Sequence, residues 1–208
     1  MRMIRGSIGL VAVLLTSSAM AQTSKPVAQD EAQFRTIYKE MVETNSSASG
    51  GGCTKVGEQV AARMKAAGFP DDQVVLFTPP GHPKEGGLVV LYPGTDPKAK
   101  AIMLLAHEDV VEAKREDWTR DPYKLYEENG YFMARGAFDD KAQAAIWADM
   151  LIDFKKAGYK PRHTIKMALT CGEEGGQFNG ARWLAENKRD LIDAAFALNE
   201  GGRGQLDD

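Results

Sequence analysis

The chain has 208 residues, of which 43% are hydrophobic and 26% are charged, and its formal net charge at pH 7 is −3. This composition is that of an ordinary globular protein, and about one domain remains once an N-terminal targeting segment is set aside. With this slightly acidic net charge, the chain lacks the excess of lysine and arginine that is typical of proteins that bind nucleic acid or an anionic membrane surface.

The first 21 residues have the pattern of a secretory signal peptide. Arg2 and Arg5 precede a short apolar run over 8–15, and Ala19-Met20-Ala21 has the small-x-small pattern of a cleavage site. The apolar run is shorter than the ~20 residues that a membrane-spanning helix needs, so we expect no stable membrane anchor.

Cleavage before Gln22 would export the chain to the periplasm or the extracellular space, with residues 22–29 as a polar linker. Exported proteins reach an oxidising compartment. The two cysteines, Cys53 and Cys171, could pair there, or each could be a small buried hydrophobic residue. The sequence leaves these two alternatives open.

From residue 30 onward, apolar residues recur with the spacing of helices and strands. The predicted elements are, in chain order, helices at 30–43 and 54–67, strands at 74–78, 88–92, 101–106 and 131–133, a helix at 141–156, a strand at 164–170, a helix at 180–187 and a strand at 195–199. A long polar and aromatic connection is expected over 112–129. The alternation of strands and helices favours an α/β fold with a sheet covered on both faces.

The third predicted helix, 141–156, has an apolar side that we assign to five large residues. They are Ile146, Trp147, Met150, Leu151 and Phe154. This side is expected to face the sheet, because a surface helix buries its apolar stripe.

Four acidic or histidine clusters each follow an apolar run of the chain. They are His107-Glu108-Asp109, Asp139-Asp140, Glu173-Glu174 and Glu200. The functional crevice of an open α/β sheet lies beyond the carboxyl ends of its strands, so these clusters are expected to meet there. Carboxylates and a neutral imidazole are ligands that suit zinc and other divalent metals. The pattern therefore predicts a two-metal hydrolase site.

Each cluster taken alone also has a simpler explanation. The pair His107 and Asp109 could be polar surface, and the Glu173-Glu174 pair could be a solvated acidic turn. Asp140 is the better candidate for the cap of the following helix, which leaves Asp139 as a metal ligand. Together, however, four acidic strand ends without a basic partner nearby in sequence would be costly unless cations neutralise them.

Three segments resemble the motifs of the M20 zinc metallopeptidases, a family that includes glutamate carboxypeptidase, acetylornithine deacetylase and aminoacylase. The segments are LLAHEDVV at 104–111, RGAFDDK at 135–141 and TCGEEGG at 170–176. The match extends from about residue 36 to residue 202 in the order and spacing of the family. It implies the fold of the zinc-dependent exopeptidases (phosphorylase/hydrolase-like), a three-layer α/β sandwich around a mostly parallel mixed sheet.

The resemblance also implies which residues hold metal. His107 would bind one ion together with Glu200, Asp139 would bridge both ions, and Glu174 would bind the other ion. The cofactors would be two Zn²⁺ ions, for which Co²⁺ or Mn²⁺ could substitute.

Asp109 and Glu173 would be the catalytic residues beside these metals. Asp109 would orient His107, and Glu173 would be the general base that takes a proton from water and passes it to the leaving amine. The implied substrates are peptides, cleaved by an exopeptidase of the carboxypeptidase or dipeptidase type. The alternatives are an N-acyl-amino-acid deacylase of the same fold, or a catalytically silent domain.

The sequence departs from the family in two places. Ala142 stands where the family usually has glycine, and the family's second metal-binding histidine and its lid and dimerisation domain lie further downstream than Asp208. We therefore expect residues 30–208 to be the N-terminal part of the catalytic domain, nearly inactive alone, with a homodimer only in a longer chain. His82 and His163 match no ligand motif and are expected to be structural or exposed.

Overall fold

The computed structural model describes residues 31–175 and 178–200. The predicted signal peptide (1–21), the linker (22–29) and Gly176 lie outside these residues. The elements are α1 (Glu31–Val42), α2 (Cys53–Ala66), β1 (Val74–Phe77), β2 (Gly87–Tyr92), β3 (Ile102–His107), β4 (Tyr126–Glu128), β5 (Tyr131–Met133), α3 (Lys141–Lys156), β6 (Ile165–Thr170), α4 (Gly180–Asn187), α5 (Arg189–Ile192) and β7 (Phe196–Leu198). Within the described ranges, no helix has both the length and the apolar character needed to cross a membrane.

Five strands form one sheet in the order β1-β2-β6-β3-β7. Strand β2 is antiparallel to both of its neighbours, whereas β6, β3 and β7 are parallel to one another. Four of the five strands therefore point the same way, and β2 alone is reversed. This arrangement confirms the predicted mostly parallel mixed sheet.

The central strands of the sheet are buried on both faces, whereas the edge strand β7 is exposed. Leu88 and Val90 of β2 belong to a large apolar cluster with residues of α1, α2 and α3, while Val89 between them packs in a second cluster with Leu184 of α4. Successive strand residues point to opposite faces. A strand covered on both faces needs an unbroken apolar run, which β2 has. The helix–sheet–helix arrangement confirms the three-layer α/β sandwich.

The connection predicted over 112–129 contains a strand that the sequence analysis missed. Strand β4 pairs with β5 in an antiparallel hairpin separate from the main sheet. Its turn is Asn129-Gly130, and both residues have positive φ. Asn-Gly flanked by strands is a strong hairpin signal, because both turn positions require φ > 0.

The face that α3 buries agrees with the predicted one except at Ile146, and it also includes small residues. Its buried apolar residues include Ala144, Ala145 and Ala148, together with Leu151 and Ile152. The predicted core residue Ile146 is 52% exposed, so this assignment was wrong. Alanines allow the helix to approach the sheet closely. Trp147, Met150 and Phe154 are partly buried at the edges of the same cluster.

Candidate metal centre

The register of the parallel strands brings the predicted clusters to one edge of the sheet. His107, the last residue of β3, lies beside Thr170, the last residue of β6, and β7 pairs with the other side of β3. Side chains that follow β6 and β7, and one from the loop before α3, meet at the His107 ring. Its Nε2 atom lies 2.9 Å from Asp139 Oδ1, 3.3 Å from Glu200 Oε2 and 3.9 Å from Glu173 Oε2.

The orientation of His107 leaves its Nε2 atom available to a cation. The Nδ1 atom lies 3.0 Å from the backbone carbonyl oxygen of Asp109, which can only accept a hydrogen bond. Nδ1–H is therefore the donor, and in the neutral ring the lone pair is on Nε2. That lone pair faces carboxylate oxygens, an arrangement that is favourable only with a proton or a metal ion between them.

The His107 ring belongs to two sets of possible metal-ligand atoms, and the atoms of each set lie within 4.8 Å of one another. One set consists of His107, Asp139 and Glu174, and the other of His107, Asp140 and Glu200. The structure thus brings together all four predicted metal ligands and adds Asp140. Both sets combine one imidazole nitrogen with carboxylate oxygens, a donor chemistry that suits Zn²⁺.

Asp140 is placed differently from the sequence interpretation. It is the N-cap residue of α3 by position, but its side chain makes no capping hydrogen bond. Instead the carboxyl is buried near His107 and Glu200. Burial raises the pKa of Asp140 to about 7, although His107 acts in the opposite direction. Sequence reasoning missed this residue because an Asp before a helix has the pattern of an ordinary cap.

Asp109 links the histidine to the Glu173-Glu174 segment. Its two carboxylate oxygens accept the backbone N–H groups of Glu173 at 3.2 Å and Glu174 at 3.0 Å. Oδ1 also lies 3.6 Å from His107 Nδ1. Burial acts to raise the pKa of Asp109, but the contacts with His107 and the two amides outweigh it and lower the pKa. Asp109 is therefore placed to hold the ring and the acidic segment in a fixed relation.

The charges of the site favour a bound cation. Burial acts to lower the pKa of His107, but Asp109 outweighs it and the pKa rises to about 10. Burial raises the pKa of both Glu173 and Glu174, and Asp139 contributes to each increase. Among residues 31–175 and 178–200, His107 is the one cationic side chain within ion-pair distance of Asp139, Glu173 or Glu200.

A buried ionisable pair lies behind the cluster. Lys141 is fully buried, and its Nζ donates to the Thr44 carbonyl oxygen at 2.7 Å. Burial lowers its pKa to about 8, against the effect of Glu108. Glu108 is also fully buried, and neither of its carboxyl oxygens has a hydrogen-bond partner in the described part of the chain. Nothing in the sequence pattern predicted that these two charged residues would be buried.

The other two histidines stay outside the donor sets. His82 hydrogen bonds with Glu85 and stacks on Phe178, with 4.4 Å between the ring centroids. His163 Nδ1 donates to the Lys100 carbonyl oxygen at 2.8 Å. Neither joins a group of possible metal ligands in the described ranges.

Cys53 and Cys171, whose pairing the sequence left open, form a disulfide. The bond joins the first residue of α2 to the residue after β6, two positions before Glu173. Both cysteines are buried. The segment that carries Glu173 and Glu174 is thus held by a covalent bond at one side and by Asp109 at the other.

Comparison with known proteins places this site in a family. The sequence model of peptidase family M20/M25/M40 matches residues 103–207, more than half of the chain. Human aminoacylase-1 is 33% identical over 115 residues, which cover 54% of this chain and 28% of that protein.

Solved structures share the fold. Human carnosine dipeptidase 1 superposes with a TM-score of 0.63 at 22% identity, covering 81% of this chain and 38% of that one. The M20 metallo-carboxypeptidase Sso-CP2 from Sulfolobus solfataricus gives a TM-score of 0.64 at 23% identity, covering 84% and 38%. The chain thus spans less than two fifths of each of these three proteins.

Proposed function

Because the chain belongs to peptidase family M20/M25/M40, we propose that the whole protein is a metal-dependent hydrolase of amide bonds in peptides. The observation that carries this proposal is the His107 ring, whose Nε2 lone pair faces Asp139 at 2.9 Å and Glu200 at 3.3 Å. One imidazole and several carboxylates meet here, and within residues 31–175 and 178–200 no lysine or arginine forms an ion pair with Asp139, Glu173 or Glu200. This arrangement fits a divalent cation.

Two Zn²⁺ ions would be held by the predicted ligands. An imidazole nitrogen has one lone pair and can serve one ion, so the bridging role belongs to a carboxylate, which has two oxygens. Asp139 is suited to it, because it contacts His107 and shares a donor set with Glu174. Glu200 would join His107 on its ion. Co²⁺ or Mn²⁺ would be accepted by the same nitrogen and oxygen donors.

Glu173 is the residue suited to proton transfer. A zinc ion at this site would act as a Lewis acid that polarises the substrate carbonyl and makes water more acidic. The Glu173 side chain is 48% exposed and lies 3.9 Å from His107 Nε2, so it borders the metal ligands and remains open to substrate. Its carboxylate would take a proton from the attacking water and return it to the leaving amine.

Asp109 would act through other residues rather than on the substrate. Its carboxylate holds the amides of Glu173 and Glu174, and its backbone carbonyl fixes the tautomer of His107. Partners of this kind orient ligands and raise their basicity.

A second candidate substrate class is N-acyl amino acids. The 33% identity with human aminoacylase-1 favours it. Hydrolysis of a peptide and of an N-acyl amino acid breaks the same type of bond, so one site can serve either reaction. The substrate preference then depends on what surrounds the scissile bond.

Metal analysis and turnover of the full-length protein test the proposal. We expect bound zinc, and hydrolysis of dipeptides or N-acetyl amino acids that stops on chelation and returns with zinc. His107→Ala should lose both metal and turnover, whereas the matched variant His163→Ala should keep both. Turnover that survives complete metal removal, or normal zinc content in His107→Ala, would contradict the proposal. The relative rates on the two substrate classes would separate a peptidase from a deacylase.

A further inference from the structure

A third group of potential metal ligands lies next to the two sets that contain His107 and shares no residue with them. It consists of Cys53, Cys171 and Asp109. The two sulfur atoms and one carboxylate oxygen lie within 4.8 Å of one another, and all three residues are buried. The three come from different parts of the fold: the start of α2, the residue after β6 and the segment after β3.

These three residues, although buried, also border one cleft. They line a cleft of about 420 Å³ whose walls include Ser46, Val110 and Glu174. The cleft is the side from which an ion and a small reductant would reach them, and water there would complete the coordination of an ion. Zinc accepts thiolate sulfur and carboxylate oxygen as ligands and usually takes four ligands in total.

We propose that reduction of the Cys53–Cys171 disulfide converts this group into a third metal site, which binds one thiophilic divalent cation such as Zn²⁺ or Cd²⁺. A small dithiol would supply the two electrons, becoming a disulfide itself while the Cys53–Cys171 bond breaks to give two thiols. The incoming ion displaces the two thiol protons into solvent and binds the two thiolates. Asp109 contributes an oxygen that needs no deprotonation.

Occupation of this site acts on the neighbouring acidic segment. Asp109 would share its carboxylate between the new ion and the backbone amides of Glu173 and Glu174, which it holds at 3.2 Å and 3.0 Å. The redox state of one cysteine pair is thereby linked to the position of the two glutamates. The proposal itself concerns binding, and it does not depend on the hydrolytic function.

Cadmium binding to oxidised and reduced full-length protein tests this inference. The protein is reduced with a dithiol, desalted without oxygen and dialysed against Cd²⁺, and bound cadmium is counted by mass spectrometry. We expect the reduced protein to bind one cadmium ion more per chain than the oxidised protein. The additional ion should produce cadmium–thiolate ultraviolet absorption, because thiolates are its ligands.

Two variants assign the additional ion. Reduced Cys53→Ser should lose it together with the absorption, whereas reduced His107→Ala should keep the absorption, since His107 is not one of the three ligands. This second result separates the inference from the proposed hydrolytic site. Equal cadmium content in both redox states of the wild type, or unchanged absorption in Cys53→Ser, would overturn it. So would loss of the folded circular dichroism signal on reduction, because the fold must hold Asp109 beside the thiols.

Discussion

At the scale of single residues, the site is organised around one imidazole. The two nitrogens of His107 have different environments: Nδ1 donates to the Asp109 carbonyl, and Nε2 faces Asp139 and Glu200. The first contact selects the tautomer, and the second defines where a cation is stabilised. The carboxylate of a neighbouring glutamate, Glu173, lies 3.9 Å from the same Nε2 atom.

Replacing Glu173 by glutamine should separate catalysis from metal binding. In the full-length enzyme, Glu173→Gln is expected to retain its metal and to lose turnover by about 10²–10⁴-fold, because an amide cannot accept the proton from water. The measurements are zinc content and kcat on the substrate that the wild type hydrolyses. Glu186→Gln, on the exposed side of α4, is the control and should keep its turnover. A Glu173→Gln enzyme with the kcat of the wild type would rule out Glu173 as the base.

The buried carboxyl of Glu108 should make stability depend on pH. Burial raises its pKa well above the usual 4.5, while Lys141 acts to lower it. Above pH 4.5 the unfolded chain releases a proton that the folded protein retains, so the free energy of unfolding falls as pH rises toward the folded pKa. Glu108→Gln removes this titration. Its stability relative to the wild type should therefore increase with pH in this window, by up to about 1.4 kcal/mol per pH unit.

Urea denaturation of both proteins between pH 4 and pH 8 measures this difference. Below the pKa that Glu108 has in the unfolded chain, Glu108 is protonated in both the folded and the unfolded wild-type protein. The free energies of unfolding of the variant and the wild type should therefore differ by a constant there. Glu58→Gln, at an exposed position of α2, is the control for the loss of one carboxyl. Parallel stability curves for Glu108→Gln and the wild type would show that Glu108 does not titrate abnormally.

At the scale of elements, α3 shows how a helix can bury small residues in preference to large ones. Ala144, Ala145 and Ala148 are completely buried, whereas Ile146 is 52% exposed. Alanine at the contact lets the helix axis lie close to the sheet, which places Asp140, at the start of α3, near His107. The packing of α3 and the composition of the metal centre are therefore connected.

Enlarging one of these alanines should destabilise the fold. Ala148→Leu adds volume to a filled contact and is expected to lower the free energy of unfolding by about 1–3 kcal/mol. Ile146→Ala changes an exposed side chain and should shift it by no more than about 0.5 kcal/mol. Urea denaturation of the two variants provides the comparison. If Ile146→Ala were the more damaging change, the buried face of α3 would be the one expected from the large apolar residues.

At the scale of the whole molecule, the direction of the strands creates the site. Strands β3, β6 and β7 run parallel, so their carboxyl ends share one edge of the sheet. His107 ends β3, and Glu173 and Glu200 follow β6 and β7. The three side chains meet although nearly a hundred residues separate the first from the last. Antiparallel neighbours would have placed alternate clusters at opposite edges.

The location of the protein in the cell is a further prediction at this scale. We propose that the chain is exported and that the mature protein begins at Gln22, because Arg2 and Arg5, the apolar run over 8–15 and the small-x-small pattern before Gln22 have the features of a signal peptide. Intact-mass measurement of protein from the exported fraction should show the loss of residues 1–21. A mass that retains these residues would contradict the prediction.

The sequence by itself determined the α/β class, the main strands and the clusters that supply the candidate metal ligands. It could do so because apolar runs of strand length and the motif residues are local properties of the chain. The Asn129-Gly130 turn belongs to the same class of local signals, and it would also have revealed the β4–β5 hairpin.

Only the tertiary structure decided the contacts between distant segments. It brought Asp140 to His107 instead of leaving it as a cap, joined Cys53 to Cys171 across 118 residues, and buried Lys141. Each of these outcomes depends on how closely α2 and α3 approach the sheet. That distance is set by side chains of several elements packing together at high density. No local pattern of the sequence predicts it.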